Sequence, residues 1–236
     1  MAKKIYINPG HSDTDPGAVG YETERKLNVA VSKHMNEYLL ENYDCQTRMN
    51  PGTMDKLAEI ADDANKWGAD LFVSNHFNAA GGDGFEAYVY SDQRVGLGKI
   101  FAKWVKAVGQ NLRSSSVAPG VKIRPTLGVL RLTNMPAILT EGAFVDNLKD
   151  IQDWNEDREL KKLGIAYARA AAEYLGLEKK TPVVEKAPAV EEKAPAEDKK
   201  VWYRVQVGAY SEKANAEAML KKVKAAGFAD AYINES

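Results

Sequence analysis

The stretch INPGHSDTDPGAVG, residues 7–20, begins like a buried strand and then breaks into a loop of glycine, proline and aspartate. His11 stands at the break. A loop that leaves the end of a strand can hold an imidazole steadily with its ring open to a metal, and ligands of open α/β sheets lie at such strand ends. A turn histidine that only hydrogen-bonds its own loop is the simpler interpretation of His11 taken alone.

Beyond this stretch, short apolar runs alternate with helical patterns as far as residue 175. The predicted strands are KKIYINPG, CQTRM, DLFVSNHFN, GFEAYVYS, GVKIR, GVLRLT and AILTEGAFV, and the predicted helices cover residues 24–41, 53–67, 93–113 and 158–175. This alternation predicts an α/β fold with a twisted, mostly parallel sheet flanked by helices. In the first helix, Glu24 shares the inward stripe of apolar residues that recur with helical spacing, namely Leu27, Ala30, Val31, Met35, Tyr38 and Leu39.

The composition changes at residues 178–200, EKKTPVVEKAPAVEEKAPAEDKK. Such a segment buries too little apolar surface to offset its ordering entropy, so we predict a linker between a domain at residues 1–177 and a tail at residues 201–236. In the tail, WYRVQVGAY and DAYIN are typical of strands, and EKANAEAMLKKVKAA is typical of a helix that Ser211 caps and Gly227 ends. The tail is therefore predicted to be a small C-terminal βαβ unit.

The composition totals exclude several functions. The 32 Lys and Arg residues against 33 Asp and Glu residues leave a formal charge of -1, so no strong field favours nucleic acid. The single cysteine, Cys45, excludes an intramolecular disulfide and a multi-cysteine metal site, and its strand-like neighbourhood favours a packed thiol. The N-terminus has no apolar signal region and no long apolar run follows, so we expect no export signal and no membrane insertion.

Polar side chains from four elements are directed to one edge of the predicted sheet. His11 closes the first strand, His76 lies near the end of DLFVSNHFN, and Glu141 ends the apolar run PAILTE. Glu24 opens the helix that follows the first strand, which places it at the same edge. Two imidazoles, a carboxylate and water form a common catalytic zinc shell. A further carboxylate that is not a ligand suits a general base.

Spacing alone leaves ordinary alternatives open, because the sequence has no HExxH motif. His76 fits a hydrogen-bonded core histidine, Glu24 an acid at the positive end of its helix, and Glu141 a partner of Arg131 or of a lysine. The third histidine, His34, lies ten residues after Glu24. At 1.5 Å per residue it is about 15 Å further along the helix, too far to join the other candidates.

Four motifs occur in the order NPGHSDTDPGAVG, ETERKLNVAV, DLFVSNHFNA and GVLRLTNMPAILTEGAFVDN. Together they resemble the zinc-dependent N-acetylmuramoyl-L-alanine amidases of the family 3 type, over residues 3–176. The resemblance implies hydrolysis of the amide between the lactyl group of N-acetylmuramic acid and L-alanine in bacterial peptidoglycan. It implies one Zn²⁺ in the catalytic domain, bound by His11, Glu24 and His76, and a catalytic role for Glu141.

The chain departs from the family pattern in the first loop. The family usually has two glycines after its first histidine, whereas this chain has Ser12 and Asp13, so the shape of the loop is an open question. Glu22 is a second acid near the ligand position, but only Glu24 has the family's spacing to the residues LN.

Two further side chains are candidates for substrate binding. Asn78, close to His76, could orient the substrate or His76 itself. Arg131, in GVLRLT, could meet a substrate carboxylate or only a neighbouring acid.

The tail resembles one half of a SPOR (sporulation-related repeat) domain, a peptidoglycan-binding module normally built from two halves. A single half implies either that two chains complement each other through self-association or that the module is incomplete. Gln206, on the first predicted strand of the tail, is the candidate wall-binding side chain, and a solvent-facing strand position is the alternative.

Two other functions compete with the amidase interpretation. One is a zinc peptidase that cuts within the stem peptide, and the other is a non-catalytic wall-binding protein. Since the sequence predicts no export signal, a wall-degrading enzyme made in the cytoplasm would need release. A phage endolysin freed by a holin and an autolysin freed by lysis of a sporulating mother cell both satisfy this requirement.

Overall fold

The computed structural model describes residues 2–180, 212–225, 228 and 231–233. The chain divides into two units, residues 1–184 and residues 185–236. The predicted boundaries of the domain at 1–177, the linker at 178–200 and the tail at 201–236 stay predictions, because most of the linker and half of the tail lie outside the described residues.

The described elements are, in chain order, β1 (Lys3–Pro9), α1 (Glu24–Asn42), β2 (Cys45–Met49), α2 (Leu57–Trp67), β3 (Leu71–Asn78), β4 (Glu86–Val89), a 3₁₀ turn (Asp92–Arg94), α3 (Val95–Ala107), β5 (Val121–Ile123), α4 (Gly128–Leu132), β6 (Ala137–Phe144), α5 (Leu148–Ile151), α6 (Asp157–Leu175) and α7 (Lys213–Ala225). All but α7 belong to the first unit.

Six strands form one sheet in the order β2-β1-β3-β6-β4-β5. Neighbouring strands run parallel except for β4 and β6, which are antiparallel. The predicted α/β class with a mostly parallel sheet is therefore confirmed. Because β4 runs opposite to β6, β4 begins at the edge where β3 and β6 approach their ends, and Glu86 pairs with Glu141, which pairs with His76.

Two apolar clusters cover the two faces of the sheet. The larger joins α1, α3 and α6 to one face, and the smaller joins α2 and α4 to the other. On α1 the fully buried apolar residues are Leu27, Val31, Met35 and Leu39, and the other two residues of the predicted stripe, Ala30 and Tyr38, are partly buried against the same cluster. Each buried aliphatic side chain contributes about 1.5–3 kcal/mol, so this stripe fixes the rotation of α1. Glu24, at the start of the same stripe, is thereby turned toward the sheet.

The strand predicted at GVLRLT is wrong. Residues Gly128–Leu132 form the short helix α4, whose adjacent Val129 and Leu130 are both buried in the smaller cluster. A strand sends successive side chains to opposite faces, whereas a helix can bury two neighbours on one broad stripe. A short apolar run does not distinguish the two, and packing against α2 and β6 decides for the helix here.

Other predicted elements differ at their ends. The helix predicted at 53–67 begins at Leu57, and the one predicted at 93–113 ends at Ala107. Residues 108–113 are not helical, and Leu112 instead forms a parallel bridge with Phe85, just before β4. Cys45 lies half-buried in β2 as a free thiol, and burial raises the pKa of its thiol.

In the second unit, α7 lies within the predicted helix EKANAEAMLKKVKAA. The predicted cap Ser211, the helix end Gly227 and the strand WYRVQVGAY lie outside the described residues, and residues 231–233 of DAYIN are not assigned to a strand. Throughout the described residues, no helix combines the length and the apolar character needed to cross a bilayer.

Candidate metal centre

Three predicted metal ligands lie together where the strands end. Glu24 Oε2 is 2.9 Å from His11 Nε2, and Glu24 Oε1 is 2.9 Å from His76 Nδ1. One ligand atom from each residue lies within 4.8 Å of the other two. Two imidazole nitrogens and a carboxylate oxygen are a donor set that zinc accepts, at about 2.0–2.2 Å from each atom. The residues therefore fit a zinc ion with only small adjustments of the side chains.

His11 is held in an uncommon backbone conformation, with φ of 64°. Few residues other than glycine adopt this left-handed region, although histidine does so more often than most. The loop after it is held by Ser12, whose buried Oγ accepts hydrogen bonds from the backbone N–H of Thr14 at 3.2 Å and of Asp15 at 3.1 Å. Asp13 accepts a hydrogen bond from Arg25 on α1 at 3.1 Å. Ser12 and Asp13, which stand where the resemblance implies two glycines, thus hold the loop through their side chains.

Asp15 orients the His11 ring. His11 Nδ1 lies 2.8 Å from Asp15 Oδ2, while Asp15 Oδ1 accepts a hydrogen bond from the Gly17 N–H at 3.0 Å. A proton on Nδ1 that is donated to a carboxylate leaves Nε2 free for a metal, the usual arrangement around metal-binding histidines. Asp15 was not among the predicted site residues, although its position four residues after His11 in the same loop was an available signal.

Glu24 is 5% exposed and is fully hydrogen-bonded. Besides the two imidazoles, its Oε2 accepts from the Ala18 N–H at 2.9 Å, and Asn28, one helical turn later, donates to Oε1 at 3.5 Å and to the Gly10 carbonyl at 3.2 Å. Burial by itself would raise the pKa of Glu24, but the hydrogen bonds from His11 and His76 outweigh it and hold that pKa well below the usual range.

His11 and Glu24 each stabilise the charged form of the other. Hydrogen bonding to Glu24 raises the pKa of His11 to about 9, against the opposing effect of burial and with help from Asp15. The alternative acid Glu22 lies outside the cluster and forms an ion pair with Lys26 at 2.8 Å. Of the two acids, the structure brings only Glu24 to the imidazoles.

Two glycines make room for the imidazoles and the carboxylate. A Cβ on Gly10 would lie 2.2 Å from His76 Cε1. A Cβ on Gly17, whose φ is +67°, would lie 2.5 Å from His11 Cδ2 and 2.6 Å from Glu24 Oε2. Both backbones approach the cluster more closely than any other residue type allows.

Glu141 lies beside the cluster on the neighbouring strand, in register with His76. Its Oε2 is buried and has no hydrogen-bond partner among the described residues. Burial raises the pKa of Glu141 well above its usual range, and the charges of Glu24 and Glu86 add to the effect. A carboxyl group with a buried, unpaired oxygen and a raised pKa is typical of a catalytic acid or base.

The remaining candidates have other surroundings. Asn78 Nδ2 donates to Glu86 at 3.2 Å rather than to His76. Arg131 is exposed on α4, and among the described residues its side chain forms no hydrogen bond or ion pair, so it does not pair with Glu141. His34 lies 2.8 Å from Asp157 Oδ1 and does not join the cluster, as expected. Gln206 lies outside the described residues.

Family models match both parts of the chain. A model described as N-acetylmuramoyl-L-alanine amidase matches residues 5–173, and one described as SPOR domain matches residues 160–234. The two matches overlap in α6, which packs against α1 and α3 in the first unit.

Relatives and solved structures agree with the first model. The chain is 30% identical to a sporulation-specific N-acetylmuramoyl-L-alanine amidase of Bacillus subtilis (strain 168), over 95% of this chain and 82% of the relative. It is 32% identical to the amidase CwlM of Bacillus licheniformis, over 98% and 84%, and 31% identical to an endolysin of Bacillus phage SPP1, over 77% and 69%.

The catalytic domain of the amidase CwlV from Bacillus (Paenibacillus) polymyxa var. colistinus superposes with a TM-score of 0.68 at 25% identity, covering 75% of this chain and 99% of that domain. An N-acetylmuramoyl-L-alanine amidase from Clostridium difficile 630 gives a TM-score of 0.66 at 25% identity, covering 74% and 97%. The chain belongs to the N-acetylmuramoyl-L-alanine amidase family.

Proposed function

We propose that this amidase is a zinc enzyme in which His11, Glu24 and His76 hold one Zn²⁺ and Glu141 is the catalytic acid and base. As a member of its family, the chain hydrolyses the amide between N-acetylmuramoyl residues and L-alanine in peptidoglycan. One observation carries the zinc proposal: a buried carboxylate lies 2.9 Å from a nitrogen of each of two imidazoles. A divalent cation suits the same three groups once the protons leave.

The reaction follows from the positions of these side chains. Bound zinc would supply a Lewis acid at the scissile carbonyl and would lower the pKa of water to about 7. Asp15 holds His11 so that Nε2 faces the site. Glu141 takes a proton from the attacking water and delivers it to the departing alanine nitrogen as the carbon–nitrogen bond breaks. Its raised pKa suits the second of these transfers.

Mass analysis of fragments released from purified cell walls tests the reaction. Cleavage at the proposed bond releases peptides that begin with L-alanine and leaves glycans whose muramoyl residues carry a free lactyl carboxylate. Fragments in which L-alanine is still attached to the lactyl group would instead identify a peptidase that cuts within the stem peptide. A protein that sediments with the walls but generates no new amino termini would be a non-catalytic binding protein.

Two acids that lie two positions apart, Glu22 and Glu24, test the metal site. Glu24→Gln should lose zinc, because the amide carries no charge to balance the ion, while Glu22→Gln serves as the matched control and should keep it. Chelator treatment of the wild-type protein should abolish hydrolysis, and added zinc should restore it. Equal zinc content in the two variants, measured by elemental mass spectrometry, would contradict the proposed ligand set.

We also propose that the enzyme reaches the wall after release from the cell interior, by a holin or by mother-cell lysis. An endolysin and a sporulation-specific amidase among its relatives support this setting. Expression in a host with and without a co-expressed holin tests it, since lysis should require the holin. Lysis at the same time without a holin would contradict it.

The second unit is proposed to bind peptidoglycan, in keeping with its match to the SPOR model, and to associate with a second copy. Sedimentation equilibrium of the full chain tests the association, which predicts a concentration-dependent dimer. A monomer at all concentrations would exclude complementation between two chains.

A further inference from the structure

Glu86 is a second buried carboxylate beside Glu141, and the proposed mechanism does not use it. It is 1% exposed and begins β4, where it pairs with Glu141 across the antiparallel ladder. Its Oε2 accepts hydrogen bonds from Tyr88 OH at 3.0 Å and from Asn78 Nδ2 at 3.2 Å. A charged group is rarely buried without such partners, because its desolvation costs several kcal/mol.

Two partly exposed cations contact Glu86. Arg113 Nη1 donates to Oε2 at 3.0 Å, and Lys122 Nζ forms an ion pair with Oε1. Although burial would raise the pKa of Glu86, the hydrogen bonds from Lys122 and Tyr88 and the nearby positive charges hold it below the usual range. The carboxylate is therefore ionised at neutral pH and anchors both cations.

The positive charge beside Glu86 exceeds the negative charge of its carboxylate. One negative charge faces two positive charges, and neither cation has a second acidic partner among the described residues. The Arg113 guanidinium also lies 5.0 Å from the centre of the Phe144 ring, which restricts its orientation. The Arg113 side chain is 39% exposed and that of Lys122 is 26% exposed, so both keep donors that face solvent. Two oriented donors with a net positive charge are suited to bind a carboxylate.

The register of the sheet gives the distance from this pair to the proposed metal site. Glu86 on β4 and His76 on β3 are separated only by Glu141 on β6. At about 4.8 Å per strand the two positions are about 10 Å apart. An extended peptide covers that distance in about three residues.

We propose that Arg113 and Lys122, anchored on Glu86, form a subsite for a carboxylate of the stem peptide near the second or third residue beyond the scissile amide. The inference rests on the proposed function, since the scissile amide is placed at the metal site. Arg131, which the sequence suggested for a substrate carboxylate, is exposed on α4 and forms no ion pair with any residue that the structure describes. The subsite would favour peptides that carry free acids over peptides whose acids are amidated.

Steady-state hydrolysis of two soluble N-acetylmuramoyl tripeptides tests this subsite with the zinc-loaded full chain. The substrates differ only in their second- and third-residue carboxylates, which are free in one and amidated in the other. Loss of a charge-assisted hydrogen bond should raise the KM for the amidated substrate about tenfold or more, with little change in kcat. In Arg113→Gln/Lys122→Gln, the two substrates should have equal KM values.

Two further variants separate binding from folding. Lys99→Gln/Lys106→Gln removes the same charge from exposed positions on α3, on the other face of the sheet. This variant should keep the wild-type difference in KM between the two substrates. Glu86→Gln/Arg113→Gln/Lys122→Gln leaves no unpaired buried carboxylate and should lose discrimination like the double variant.

The outcomes distinguish this inference from the function on which it rests. A wild-type enzyme that cleaves neither substrate overturns the proposed function, and the subsite with it. A wild-type enzyme that cleaves both with the same KM overturns the subsite alone. Inhibition by poly(glycerol phosphate) together with equal KM values would assign the cations to wall phosphate and contradict the proposal. The proposal is also contradicted if the double variant Arg113→Gln/Lys122→Gln and the triple variant that adds Glu86→Gln both keep the wild-type difference in KM between the two substrates.

Discussion

Glu24 joins the two imidazoles of the cluster through one buried carboxylate. A buried carboxylate is costly unless every oxygen has a partner, and here His11, His76 and a backbone N–H supply those partners. Asp15 orients the His11 ring, and Asn28 donates a hydrogen bond to Glu24. The geometry of the site is therefore preset by hydrogen bonds before any metal binds.

Glu141→Gln tests the catalytic carboxyl group. Glutamine keeps the shape but cannot exchange a proton, so hydrolysis should fall by about 10²–10⁴-fold while zinc content is unchanged. Turnover of a soluble muropeptide and elemental analysis measure the two quantities. Glu41→Gln, an exposed acid on α1, is the control and should match the wild type. A Glu141→Gln variant that clears cell walls at the original rate would remove the assignment.

The raised pKa of His11 predicts how zinc affinity depends on pH. With that pKa at about 9, the metal-free protein holds a proton that zinc must displace at pH 7. Affinity should therefore rise about tenfold per pH unit between pH 7 and 9. Competition with a chelator at several pH values measures this slope, and His34→Gln should leave it unchanged. An affinity that does not vary with pH would contradict the account.

The stability of the metal-free protein should change in the opposite sense. A histidine whose pKa is higher in the folded state stabilises the fold fully below its unfolded pKa of about 6.5. That contribution is lost as the pH rises through about 9. The melting temperature of the chelated protein should therefore fall between pH 7 and 9.5, and in His11→Gln this part of the decline should be absent. A decline of the same size in His11→Gln would assign it to other groups.

At the scale of elements, the site depends on how closely the loop after β1 approaches β3. Gly10→Ala should displace His76, because the new Cβ would lie 2.2 Å from Cε1 of the ring. We expect zinc binding to be lost in this variant. Gly96→Ala in α3 is the matched control, since its Cβ meets no atom within 4 Å. It should keep zinc and gain up to about 1 kcal/mol of stability from helix propensity. Full zinc occupancy in Gly10→Ala would contradict the described approach.

The sequence predicts those elements whose signal is local. The helical stripe of α1 fixes the direction of Glu24, and the strand ends bring His11, His76 and Glu141 to one edge. The helix α4 was not predictable, because a short apolar run fits a strand equally well and only packing decides. The hydrogen bonds and ion pairs of Glu86 were also not predictable. They require β4 to run antiparallel to β6, and periodicity carries no information on strand direction.

At the scale of the whole molecule, all six strands and both apolar clusters lie within residues 2–180. A chain that ends at residue 180 should therefore fold and hydrolyse soluble muropeptides as the full chain does. Its sedimentation with insoluble walls should fall, because a second binding unit raises the effective affinity for a surface. Gln206→Ala in the full chain tests the predicted wall contact by the same assay. Unchanged sedimentation of the truncated chain would remove the wall-binding role of the second unit.

The most direct test of the account is anomalous scattering from a crystal of the zinc-loaded protein, measured on both sides of the zinc absorption edge. We expect one strong peak per chain that lies within bonding distance of His11, Glu24 and His76, with Glu141 beside it. A peak elsewhere, or no peak among these side chains in zinc-saturated crystals, would contradict it.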